Sequence, residues 1–320
     1  MRLTMSLVAV AGIFLSSVAQ AQNFPDKPIT IIAPIAAGSS IDPITRVMGD
    51  GLQQRLGQPG IMENQSGAGG AIGSNTVAKA KPDGYTILIA NGGPICILPN
   101  LKRNMPYDAA KDFRAVTPLY TFPYVFVASK NLPVKNVAEL IDYAKKNPGK
   151  LSFATSGLGE PAHLAAELLK LDSGIDIKIV HYRGTAPAMV DVIAGHVDVL
   201  FANIAAAVQV IKEVKPLAVT SQERNPSLPE VPTMIESGVK DFVVTSWNGM
   251  LAPAKTPDAV VNKLAGAFNE TLKTEAAQKL LVPLGNTPMT MSPAEFDKYL
   301  NSEREKWAGI IKKANIPMQD

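Results

Sequence analysis

The sequence predicts an α/β protein of two lobes with a ligand cleft between them, and three observations carry that expectation. From Ile29 onward, short apolar runs alternate with stretches of helical apolar spacing, the pattern of strands and helices packed in layers. A strand, a loop of small residues and a helix occur in that order twice, over 29–52 and over 151–171. Two extended stretches, 121–129 and 233–248, lack helical spacing and would carry the chain from one lobe to the other and back. They place the lobes at 22–122 plus 246–320 and at 123–245. A cleft between lobes that can close is where a small ligand is buried.

Residues 29–33 read as the first strand, followed by the loop 34–41. A helix then starts with Asp42 as N-cap and Pro43 at its first position. Its apolar residues Ile44, Val47, Met48 and Leu52 keep the i, i+3, i+4 spacing. Residues 61–63 form a short strand, and 67–80 a glycine-rich loop running into a helix. Pro82-Asp83-Gly84 turns the chain into the strand 85–90. In the second block, 151–155 is a strand, 156–160 a loop, and 161–171 a helix with Leu164, Leu168 and Leu171 on one face. Strand 177–182, helix 186–194 and strands 197–202 and 215–220 follow. Residues 243–251 are extended, and 258–313 are mostly helical and complete the first lobe.

The leader narrows the function. Arg2, an apolar stretch over 7–15 and Ala19-Gln20-Ala21 make a secretory signal peptide, cleaved after Ala21. The apolar run is shorter than the ~20 residues of a spanning helix, and no cysteine stands at the cleavage site to take a lipid. The protein is therefore expected to be exported, and exported proteins have little access to nicotinamide cofactors; no cofactor is expected. Lys and Arg number 31 against 28 Asp and Glu, a net charge of +3. The basic pairs Lys102-Arg103 and Lys145-Lys146 are isolated, which argues against a nucleic-acid surface. Cys96 is the single cysteine, so neither an intramolecular disulfide nor a cysteine metal cluster can form.

Gly157-Leu158-Gly159-Glu160-Pro161-Ala162 matches G-x-G-x-x-A between a strand and a helix. A dinucleotide site would then ask for an acidic residue at the end of the next strand, where His181 and Tyr182 stand instead. The general property of such a turn survives: free backbone N–H groups and a helix N-terminus face an anion. The alternative is a turn that needs glycine only for its backbone angles. Ala36 to Ser40 offers the same small-residue setting in the first lobe. Gly67 to Gly73 spaces its glycines as G-x-G-x-x-x-G, which reads as close backbone packing. His163, His181 and His196 lie on different elements without metal-ligand spacing, so no metal site is expected. His163 either points at the cleft or caps its own helix. No G-x-S-x-G nucleophile elbow occurs, which disfavours catalysis.

Taken together, these stretches resemble the periplasmic substrate-binding proteins of tripartite tricarboxylate transporters, the Bug receptor group. The resemblance spans the mature chain and rests on Pro28-Ile29-Thr30-Ile31-Ile32 leading to Gly38 and Asp42, Leu56-Gly57-Gln58-Pro59, Glu63-Asn64 and Gly67-Ala68-Gly69-Gly70. It continues through Pro82-Asp83-Gly84-Tyr85, Met105-Pro106-Tyr107-Asp108, Lys111-Asp112-Phe113, Gly157 to Leu169, Tyr182-Arg183-Gly184 with Pro187, Val231-Pro232-Thr233 with Glu236 and Gly238, and Ser246-Trp247.

The resemblance implies a type II-like periplasmic-binding-protein fold, with two β crossings and a central ligand cleft. It implies a receptor that closes on one carboxylate of a small organic acid and delivers it to membrane transporter subunits, as a monomer and without turnover. Its ligand shell would include Ala37, Gly38, Ser39, Asp42, Ser156, Gly157, Gly159 and His163. Asn91, Gly92 and Asn203 would line the far end, with Thr185 and Ala186 facing the same cleft. Two departures stand out. The family's first loop reads Pro-Phe-x-Pro-Gly-Gly where this chain has Pro34-Ile35-Ala36-Ala37-Gly38-Ser39, and Glu160 stands where Ser or Thr is common. Glu160 would repel a second ligand carboxylate, pair with a ligand amino group, or simply cap its helix. The same cleft would serve a receptor that reports to a membrane sensor, and a periplasmic hydrolase with an unrecognised site is the remote alternative.

Overall fold

The computed structural model describes residues 24–318; the signal segment and its cleavage after Ala21 lie outside the described residues. The chain is α/β, with a mixed, curled sheet. Strands β1 (Ile29–Ala33), β2 (Gly60–Asn64) and β3 (Thr86–Asn91) run parallel in the order β2-β1-β3. Their apolar residues form a buried core with helix α1 (Asp42–Leu56), which contributes Ile44, Met48 and Leu52. Strands β5 (Ser152–Thr155), β6 (Lys178–His181) and β7 (Val199–Asn203) form the second parallel set, ordered β7-β5-β6.

One strand belongs to both sets. β4 (Phe113–Ala128) runs for 16 residues. Up to Pro123 it pairs antiparallel with β9 (Thr245–Pro253), and from Tyr124 it pairs antiparallel with β7. Strand β8 (Lys215–Val219) also joins β4 over this second half. The stretch expected to be a free crossing is thus the second half of a longer strand, and the sheet path is continuous through it. Phe126 of β4 meets Phe201 of β7 at 4.5 Å and stacks on Phe153 of β5 at 5.6 Å. Aromatic area dominates the core on that side.

The return passage is pinned beside the outgoing one. Fully buried Thr220 donates its backbone N–H to the Tyr124 carbonyl, and its hydroxyl accepts from Tyr124 N–H at 2.8 Å and donates to the Val244 carbonyl. From Thr245 the chain belongs to β9, beside β3 and β4. Helices α8 (Asp258–Leu272), α9 (Glu275–Leu281) and α10 (Pro293–Lys313) then follow, with strand β10 (Thr287–Pro288) paired to β4.

Three further elements form where no helix was expected. A π-helical turn over Gly93–Ile97 runs into α3 (Leu98–Leu101), α4 covers Val137–Lys146, and α7 covers Ile204–Gln209. The remaining helices are α2 (Ala71–Ala78), α5 (Pro161–Ser173) and α6 (Thr185–Ala194). The Gly67 loop packs backbone on backbone, in line with the sequence: a Cβ on Gly73 would lie 2.8 Å from the Gln65 carbonyl and 3.0 Å from Pro34 Cα.

Candidate functional site

The expected site residues sit at the carboxyl ends of parallel strands, where open α/β sheets place their ligands. The loop after β1 carries Ala37, Gly38 and Ser39; β3 ends at Asn91. β5 leads into Ser156 and Gly157, β6 toward Thr185 and Ala186, and β7 ends at Asn203. In the second set the register aligns Thr155 with His181, so the turns after β5 and β6 share one edge.

The turn from Gly157 to Glu160 is held by its own backbone. Gly157 (φ 148°) and Gly159 (φ 73°) lie in the left-handed region, which only glycine enters without strain. Gly159 N–H donates to Nδ1 of His163 at 3.3 Å, and His163 N–H donates to the Glu160 carbonyl at 2.9 Å. His163 therefore closes the turn locally through Nδ1. Its ring is buried against the edge of His181 at 4.8 Å, and His181 Nδ1 lies 2.8 Å from Thr155 Oγ1. The two histidines expected to be separate thus form a pair. Burial, with smaller contributions from His181 and Lys170, lowers the His163 pKa to about 4, so the ring is neutral near pH 7. No group of three or more metal-ligating side chains occurs among the described residues.

Three glycines show what packs around the turn. A Cβ on Gly159 would lie 2.3 Å from Leu98 Cδ2, so the turn is seated against α3. A Cβ on Gly92 would lie 3.7 Å from both Trp247 Nε1 and Pro161 Cγ, and 3.8 Å from Ser246 Oγ. A Cβ on Gly93 would lie 3.0 Å from Glu160 Oε1 and 3.2 Å from Asn91 Oδ1. The end of β3, the Gly157–Glu160 turn and the start of β9 therefore converge. The Trp247 ring is fixed edge-on to Phe296 of α10 at 5.5 Å. Its Nε1–H is buried and has no hydrogen-bond partner, an arrangement that buried polar groups seldom show.

Glu160 occupies the N-cap position of α5, yet its side chain makes no capping bond. Among the described residues, no hydrogen bond or ion pair reaches its carboxyl group. Burial raises its pKa to about 7. The same burial, with the Glu160 charge as the next contribution, raises that of Tyr124 on β4.

The first loop differs from its expected form. Asp42 does not cap its helix: Ile41 holds the N-cap position, and the Asp42 carboxylate turns back into the loop. It accepts from Gly38 N–H and Ser39 Oγ, both at 2.7 Å, while Asn64 Nδ2 bonds the Ile35 carbonyl at 3.2 Å. Gly38 takes φ 82°, which turns its N–H toward Asp42. Ala37 and Gly38 are exposed, and no hydrogen bond joins this loop to the Gly157–Glu160 turn among the described residues. Asn91 Oδ1 accepts Gly93 N–H at 3.0 Å, and Asn203 Oδ1 caps α7 by accepting Ala205 N–H at 2.9 Å. Thr185 starts α6 after Gly184, with no side-chain cap on that helix, and Ala186 is exposed.

Comparison with known proteins places this geometry. The family described as tripartite tricarboxylate transporter family receptor matches residues 44–316. The chain belongs to that family. It is 33% identical to protein BugT of Bordetella pertussis over 98% of each chain. It is 36% identical to a protein of Pseudomonas sp. strain P51 encoded in a tcbD-tcbE intergenic region, covering 95% of this chain and 92% of that one. Among solved structures, Rpa4515 of R. palustris with adipate superposes with a TM-score of 0.87 at 33% identity, covering 92% of this chain and all (100%) of that one. MatC of Rhodopseudomonas palustris with bound malate gives 0.84 at 30% identity, covering 90% and 100%. The periplasmic binding protein BugD gives 0.85 at 35% identity, covering 92% and 100%.

Tyr124, Ser246, Trp247, Gly93 and Leu98, outside the expected set, lie next to the expected residues. Ser246-Trp247 was visible as part of the family pattern. Its role was not, because a tryptophan on a strand reads as core until its ring nitrogen is seen without a partner.

Proposed function

We propose that this receptor binds a small organic acid between its lobes, at 22–122 plus 246–320 and at 123–245, and hands it to a membrane transporter from the periplasm. The carrying observation is the buried, unpartnered Trp247 Nε1–H close to Gly92, a glycine that also lies close to Pro161 at the N-terminus of α5. An N–H donor and a helix N-terminus together favour a carboxylate, because charge-assisted hydrogen bonds are about twice as strong as neutral ones. Adipate and malate in two solved relatives support the same chemistry.

The shell would comprise Ser156, Gly157, Gly159, Glu160 and His163 from the second lobe's main turn, with Asn91, Gly92, Thr185, Ala186 and Asn203 around it. Ala37, Gly38 and Ser39, braced by Asp42, would approach from the first lobe. Binding is non-covalent and the ligand leaves unchanged. A thermal-shift screen of ligand-stripped, refolded protein against carboxylates tests this. At 100 times its Kd, a ligand adds about 2.7 kcal/mol, a rise of roughly 4 °C in Tm for a chain of this length. No shift across aliphatic, amino and aromatic acids would refute the assignment.

A further inference from the structure

We propose that the acid bound here carries a cationic nitrogen as well as its carboxylate, and that Glu160 is the counter-charge for that nitrogen. The inference rests on the carboxylate-receptor assignment and adds the class of acid.

The argument starts from what Glu160 does not do. It stands at the N-cap of α5, where a side-chain oxygen normally accepts from the first turn, and it makes no such bond. No arginine, lysine or histidine forms an ion pair with it among the described residues, and no hydrogen bond satisfies its carboxyl oxygens. A carboxylate that serves only the fold at such a depth is normally paired or hydrogen-bonded. Burial alone accounts for the upward displacement of its pKa.

Besides the Tyr124 phenol, whose pKa is raised by burial and then by the Glu160 charge, the carboxyl has an acceptor close by. A Cβ built on Gly93 would lie 3.0 Å from Glu160 Oε1 and 3.2 Å from Asn91 Oδ1, so the two oxygens stand on the same side of the Gly93 backbone. Asn91 Oδ1 takes one N–H, from Gly93, and an amide oxygen has a second lone pair to offer. Two neighbouring acceptor oxygens, one of them on a carboxyl group with no partner, match a group that carries several N–H donors and a positive charge. They mismatch a second carboxylate, which would meet like charge. One residue away the chemistry reverses: a Cβ built on Gly92 would lie 3.7 Å from both the buried, unpartnered Trp247 Nε1 and Pro161 Cγ at the start of α5. A donor end and an acceptor end side by side are complementary to one molecule holding both an anion and a cation.

Isothermal titration of the refolded mature protein decides the matter with matched probes: aliphatic and aromatic acids bearing an amino group, the same acids without it, and the diacids of equal length. The expected result is at least tenfold tighter binding of an amino acid than of its des-amino and diacid partners. In Glu160→Gln that preference should fall below threefold while the far-UV spectrum stays unchanged. Monoacids or diacids binding as tightly as the amino acids would overturn this inference and leave the carboxylate receptor standing. So would an unchanged preference in Glu160→Gln. Binding of no acid of any set would overturn both.

Discussion

Replacing Gly159 with alanine separates the cost of the turn from the cost of closure. In the present structure Gly159 is buried at φ 73°, and a Cβ there would stand 2.3 Å from Leu98 Cδ2 and 3.1 Å from Leu98 Cγ. Two penalties follow. A left-handed alanine costs roughly 1–2 kcal/mol wherever the turn keeps its shape, whether or not the lobes are closed. Displacing Leu98, itself 1% exposed, is overpacking worth about 1–3 kcal/mol, and it arises only when the turn is seated on α3.

If ligand binding requires that seating, the second penalty falls on the bound state alone. At 1.4 kcal/mol per decade it weakens binding by roughly 5- to 150-fold. The assay is a titration cycle over wild type, Gly159→Ala, Leu98→Ala and the double variant. Removing the Leu98 side chain relieves the clash, so the double variant should bind roughly 5- to 150-fold tighter than Gly159→Ala. A Gly159→Ala protein with wild-type affinity, or a double variant no better than the single one, would refute the closure argument.

Three other outcomes follow from the site. Glu160 has its folded pKa raised from 4.5 to about 7, so its charged form is disfavoured in the fold. The resulting cost builds between pH 4.5 and 7 and is full above 7. Glu160→Gln should therefore gain about 1–3 kcal/mol at pH 8, discounted because the residue keeps some contact with water, and nothing at pH 4.5; urea unfolding at both pH values measures it. His163 shifts the other way, from 6.5 to about 4. Below 6.5 the unfolded chain takes up a proton that the folded ring refuses, so stability present above 6.5 is lost as the pH falls to 4. The loss reaches about 3 kcal/mol, and His163→Gln should flatten that part of the profile. Asp42→Ala releases the Gly38 N–H and Ser39 hydroxyl, and amide hydrogen exchange over residues 36–40 should accelerate at least tenfold, about 1.4 kcal/mol of lost protection; unchanged exchange would mean that the carboxylate does not hold the loop.

The strand–loop–helix units were legible because period and punctuation agree in them. Pro43 opens α1, Pro161 opens α5, and apolar spacing follows each proline. Helix α4 was legible too and went unread: Asn136 caps it by accepting Glu139 N–H at 2.8 Å, and Val137, Leu140 and Ala144 bury its face. The full extent of β4 was hidden because Thr117-Pro118 and Pro123 interrupt the strand pattern; in the structure irregular register near 115–120 absorbs Pro118, and Pro123 stands where β4 changes partner from β9 to β7. Asp42 obeyed a sound local rule that tertiary context overrode, since the left-handed Gly38 offers its N–H to the same carboxylate. The pairing of His163 with His181 depends on a helix folding back over two parallel strands, which spacing along the chain does not encode. Trp247 and Tyr124 looked like ordinary strand aromatics; only their neighbours Gly92 and Glu160 bring them to the candidate site.

The central claim is that this cleft recognises a carboxylate as an anion. The most direct measurement titrates the ligand-stripped protein with its best-binding acid and with the primary amide of that same acid. The amide keeps the shape and loses the charge, and hydrogen bonds to a charged group are worth about 1.5–3 kcal/mol. The acid should therefore bind roughly 10- to 100-fold more tightly than the amide. Equal affinities for the two would contradict the account.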